Sequence, residues 1–160
     1  MRITKLFLSL AILSVMLATA CSNTMPTKDI GKLYSLALDA YMPIDEGLNG
    51  GMKYIAIDMS NFKDLDDKDK GQILKHFNKY NVEVMEATYE QLKAKGLYDP
   101  KTMVLNGILL RVEKTEILNN KFVVEGSKYR AALGAIGTKV VVELKNDKWQ
   151  VTKAATTWES

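Results

Sequence analysis

Apolar positions along the chain fall into three regimes: an uncharged run, then a helical spacing, then an alternation of period two. The first regime covers Leu6 to Ala20. The second begins with Ile30, Leu33, Tyr34, Ala37, Ala40 and Tyr41, which share one helical face. They predict a helix over about residues 28–41, with Thr27 as its cap and Pro43 as its stop. "EGLNGG" at 46–51 reads as a loop in which Gly50 and Gly51 are free to take positive φ. In "KYIAIDM", Ile55, Ile57 and Met59 alternate with Tyr54, Ala56 and Asp58, as in a strand.

Asp66 then stands at an N-cap position with Asp69 at the third helical position. Ile73, Leu74, Phe77 and Tyr80 form one apolar stripe, which predicts a second helix over about 66–80. "NVEVMEA" alternates like a strand, although Val82, Met85, Tyr89 and Leu92 would also line a helix. The pair Thr88 and Gln91 has capping-box spacing and Gly96 can end a helix, which favours a strand followed by a short helix from Tyr89 to Lys95.

From Met103 the alternation takes over. "GILLRVEKTEI" and "KFVVEGSKYR" flank Asn119-Asn120, and "TKVVVELK" and "KWQVTKAATTW" flank Asn146-Asp147. Asn and Asp tolerate the left-handed conformation of tight turns, so two hairpins are predicted. The class is α+β: N-terminal helices and one or two strands packed on a C-terminal antiparallel β-meander.

The uncharged run has a different meaning. Arg2 and Lys5 precede it and Ala18-Thr19-Ala20 closes it, which is the layout of a secretory signal. At fifteen residues it is short of the roughly 20 that a membrane-spanning helix needs. The sequence Leu17-Ala18-Thr19-Ala20-Cys21 resembles a bacterial lipobox, with Ala18 where the commonest form has Leu. The resemblance implies cleavage before Cys21, acylation of that cysteine and anchoring on the outer face of the cell membrane, where two acyl chains hold stably. An ordinary secretory cleavage also fits Ala-Thr-Ala, but it would leave the single Cys as a free thiol in an oxidising compartment.

On this reading residues 1–20 are a signal peptide, 21–27 carry the lipidated Cys and a short tether, and 28–160 form one domain. Removal of Arg2 and Lys5 leaves 20 of the 22 cations against 19 acids, and these are interleaved along the chain. A nucleic-acid partner would call for a clustered cationic excess, so nucleic acid is set aside.

Candidate chemistry is sparse. The acids of "KDLDDKDKG" match no EF-hand register and read as helix capping. His76 is the only histidine, too few for a zinc site, so neither a metal nor another cofactor is expected. Asp58 ends a predicted strand and precedes Ser60 and Asn61, a pattern that serves either a ligand crevice or the turn itself. Tyr129 and Arg130 lie in "GSKYRAALGAIGTK", read as a wide connection with a bulge or as a binding rim. Trp149 and Trp158 are nine apart, so on one continuous strand they face opposite sides.

Through "MKYIAIDMSNFKDL", "EGSKYRAALGAIG" and "KWQVTKAATTW" the remainder of the chain resembles small lipoproteins of Gram-positive bacteria. That resemblance supports the envelope address and brings no active residues. The expectation is a membrane-anchored, non-enzymatic binding or accessory domain for an envelope protein or other envelope component. The alternative is a small NTF2-like or cystatin-like pocket protein, a ligand binder or an enzyme, with Asp58, Tyr129 and Arg130 converging in one pocket beneath the helices.

Overall fold

The computed structural model describes residues 28–160. The signal segment 1–20, Cys21, the tether and the expected cap Thr27 lie outside the described residues. Within them the order is α1 (Ile30–Asp39), β1 (Tyr54–Asp58), α2 (Asp67–Phe77), β2 (Glu83–Glu86), α3 (Tyr89–Ala94), β3 (Tyr98–Asp99), β4 (Val104–Ile117), β5 (Lys121–Ala131), β6 (Gly134–Lys145) and β7 (Lys148–Glu159). The class is α+β, with helices early and long strands late.

One sheet holds the seven strands in the order β2-β1-β4-β5-β6-β7, with β3 added beside the start of β4. From β4 to β7 it is the expected antiparallel meander. Strands β1 and β2 do not cover that meander; they extend it in parallel, Ile55 opposite Ile108 and Ile55 opposite Val84. Parallel neighbours need crossovers, and α2 and α3 supply them. The chain leaves β1 through α2 to β2, then passes through α3 and β3 to β4 on the other side of β1. Strand order therefore reverses at β1, and open sheets leave a crevice at such points.

Helices α1 and α2 bury Leu33, Tyr34, Leu38, Ile73 and Phe77 against Ile55, Ile57, Leu110, Phe122, Val124 and Val140. Alternation sends Tyr54, Ala56 and Leu109 to the opposite face, where Leu92 of α3 covers them with Tyr89 and Tyr98 alongside. Beyond α3 this second face carries ion pairs, Lys139 to Glu125 at 2.6 Å and Lys121 to Glu143 at 3.1 Å.

Several boundaries differ from expectation. Asp29 caps α1, accepting from the Lys32 amide at 2.9 Å; its carboxylate also meets the positive end of the helix dipole. The helix ends at Asp39, and Tyr41 N–H turns back to the Leu38 carbonyl in a tighter final turn. Helix α2 has the predicted N-cap Asp66, which with Asp69 forms a reciprocal capping box, and a 3₁₀ turn, Asn78–Tyr80, completes its span. The ambiguous segment is a strand then a helix, with Thr88 and Gln91 boxed and Gly96 at φ 69°.

The second half contains three hairpins rather than two. The supposed wide connection at 126–139 is the β5–β6 hairpin, which turns at Ala132 and Leu133 because small residues, Ala131 and Gly134, meet across it. The bulge is present, between the Tyr129 and Ala131 pairs. Asn146 and Asp147 take φ 50° and 59° as predicted, whereas Asn119 and Asn120 turn the chain without positive φ.

Candidate functional site

Asp58 is the last residue of β1, and the parallel register sets it beside Arg111 of β4. Its buried carboxylate uses Oδ1 to accept from the Ser60 amide at 3.1 Å and the Ser60 hydroxyl at 2.6 Å. That contact shapes the exit from β1, as the turn reading required. Oδ2 faces Arg111, 3.8 Å from Nε, outside hydrogen-bond range. Two clefts meet at this pair. One, of about 340 Å³, is lined by Asp58, Ser60, Glu86, Thr88 and Gln91; the other, of about 180 Å³, by Tyr89, Leu109, Arg111 and Tyr129.

Tyr129 lies on β5 beside Leu109. Its ring meets Tyr89 edge to face at 5.5 Å, and Tyr89 meets Tyr98 in the same way at 5.7 Å. The Lys93 ammonium stands 4.9 Å over the Tyr89 ring. Burial foremost raises the Tyr89 phenol above its ordinary pKa, so at neutral pH it keeps its proton. The Arg111 side chain is 46% exposed, and among the described residues none accepts a hydrogen bond from its guanidinium. The second cleft thus offers one cation, phenolic hydroxyls and an apolar floor at Leu109, groups that suit a carboxylate attached to a ring.

Arg130 is elsewhere. Neighbours on a strand face opposite sides, so once 121–131 is a strand, Arg130 points away from Tyr129. It donates through one terminal nitrogen to the Leu48 and Gly50 carbonyls at 2.8 and 2.5 Å. Beside it Lys128 is fully buried, donating to the carbonyls of Met42, Ile44 and Asp45 and to the Asn49 side chain. The two cations pin segment 42–50 to the sheet. Asp58 and Tyr129 therefore share one face with Arg111 between them, and Arg130 does not join them. The helix-covered face, where a pocket beneath the helices would lie, is filled by packed side chains.

Sequence reasoning passed over Arg111, Tyr89 and Lys128. The signal for Arg111 was a lone cation interrupting the apolar run "GILLRV"; for Lys128 it was a lysine in phase with Phe122 and Val124.

His76 sits on α2 with Nε2 3.5 Å from an Asp39 oxygen, which Lys79 holds at 2.6 Å. A further cleft by the starts of α1 and α2 is lined partly by Asp29, Asp66 and Asp69, which are engaged in capping. Among the described residues no three His, Cys, Asp or Glu side chains are grouped to hold a metal ion, and no helix is long and apolar enough to cross a membrane. Comparison with known proteins returns no counterpart: no family model, no curated protein and no solved structure matches the chain.

Proposed function

We propose that this protein is a lipid-anchored binding module on the outer side of the cell membrane, and that the Arg111 cleft holds a carboxylate-bearing component of the envelope. The address rests on the lipobox resemblance around Cys21. One observation supports the cleft: a half-exposed guanidinium, without a hydrogen-bonded partner among the described residues, lies beside two tyrosines at the point of strand-order reversal. Asp58 orients that cation while its other oxygen stays tied to Ser60. Recognition, rather than bond-making, is the role these groups support.

Two measurements test the reading. Intact mass of the membrane-extracted chain should correspond to residues 21–160 plus acyl chains, and a Cys21→Ala variant should lose the acyl mass; an unmodified mature chain in the medium overturns the anchor. For the cleft, a photo-crosslinking residue at exposed Gln91, on the rim of the adjoining Asp58 cleft, should capture an envelope component in cells. Arg111→Glu should abolish the adduct, and an adduct indifferent to that change would place the ligand elsewhere.

A further inference from the structure

We infer that the face around Arg111 continues across the sheet as a strip that takes a linear glycan carrying carboxylate groups, Arg111 holding a carboxylate and Trp158 stacking on a sugar ring. This names the ligand class for the cleft proposed above and rests on that reading. The register sets Asp58, Arg111, Ser127, Gly137 and Trp158 side by side on five neighbouring strands, all on the face opposite α1 and α2. At about 4.8 Å per strand, the Arg111 and Trp158 backbones stand about 14 Å apart, and the indole, folded back over Gly137, lies about 10 Å from Arg111, roughly the span of two linked sugar rings.

Only small residues, Ser127 and Gly137, lie between them. A Cβ on Gly137 would collide with the Trp158 indole, so the ring rests directly on the β6 backbone. Its outer side is free, since Trp158 is 42% exposed. An indole held flat against backbone is a rigid stacking surface that loses little freedom on binding. Along one flank run Lys114, Glu125 and Lys139, charged groups that can meet sugar hydroxyls; along the other stand Tyr129 and Tyr89.

The direction of the strip argues for a glycan over a peptide. Peptides bind sheets by adding a strand along an edge, where backbone groups are free. This strip crosses the strands, and from β1 to β6 the backbone N–H and C=O groups beneath it pair within the ladders on both sides. Its occupant is therefore recognised by side chains alone, through ring faces and in-plane polar groups. The acidic requirement comes from Arg111, which is half-exposed and, among the described residues, faces only Asp58, at 3.8 Å and outside hydrogen-bond range.

Calorimetric titration of the full lipidated chain in detergent tests the inference, with oligogalacturonate, neutral cello-oligosaccharide and poly-glutamate as probes. Oligogalacturonate should bind at least about tenfold more tightly than either of the others, and Trp158→Ala and Arg111→Gln should each weaken it about tenfold or more. Unchanged circular dichroism would confirm that both variants fold. Equal binding of poly-glutamate, unaffected by Trp158→Ala, overturns the glycan while leaving the Arg111 cleft as a carboxylate site. No binding of any probe to the folded chain also overturns the glycan, and the crosslink at Gln91 then decides the cleft by itself.

Discussion

At Lys128 an ammonium is buried among oxygens that carry no formal charge, three carbonyls and one side-chain amide. Lys128→Met would leave the Ile44 carbonyl and the Asn49 side-chain oxygen without a donor and should cost about 2–4 kcal/mol in urea unfolding, with faster proteolysis within 42–50. Two buried tyrosines differ in the same currency of partners. The Tyr34 hydroxyl bonds to Thr115 at 3.0 Å and receives the Lys63 amide at 2.8 Å, whereas the Tyr41 hydroxyl has no partner among the described residues. Tyr34→Phe should therefore lose about 1–2 kcal/mol and Tyr41→Phe less than about 1 kcal/mol, a contrast that thermal melts can read. None of these partnerships was legible in advance. A sequence shows the type and phase of Lys128, but its acceptors arrive from a segment some eighty residues away.

Among the elements, α2 was the most legible because its instructions are local. Asp66 and Asp69 cap it reciprocally at 2.7 and 3.3 Å, so Asp66→Ala should cost about 1 kcal/mol. A lowered melting temperature would check it, with the Asp66→Asn variant close to wild type. Strands were legible in type and less so in detail. The register of β7 against β6 slips twice, leaving Thr157 and Thr152 as extra residues. Each slip reverses which side faces the helices, and together they cancel. Trp149 therefore packs against the core and Trp158 lies on the opposite face, as their spacing implied. At β5, by contrast, reading 126–139 as a connection hid the alternation that separates Tyr129 from Arg130. Gly126 marks another close approach: a Cβ there would collide with the Arg111 carbonyl, beside the β4 irregularity. Gly126→Ala should disturb the β4–β5 ladder and with it the position of Arg111, measurable as faster amide exchange in both strands.

On the scale of the whole molecule, stability should depend on alkaline pH with two opposing slopes. Burial pushes the Lys128 ammonium down to about 8 from its ordinary 10.5, so between those values the unfolded chain holds a proton that the folded chain has released. Stability contributed by this group therefore rises across that window. Burial pushes the Tyr54 phenol up to about 12 and raises Tyr41 and Tyr80 as well, so above pH 10 the folded chain keeps protons that the unfolded chain loses, and stability falls. Urea midpoints should peak near about pH 10, with Lys128→Met removing the rise and Tyr54→Phe softening the fall. The same long-range contacts decide where function can reside. The sequence by itself determined the kinds of element, their order and their apolar faces, because periods of 3.6 and 2 and the capping residues act over a few neighbours. Only the tertiary structure decided that β1 lies parallel to β4, that Asp58 meets Arg111 and that one row of side chains runs from β1 to Trp158. Which strand pairs with which, and in which direction, follows from burial summed over the whole sheet and the crossovers that α2 and α3 permit, and no local stretch of chain carries that sum.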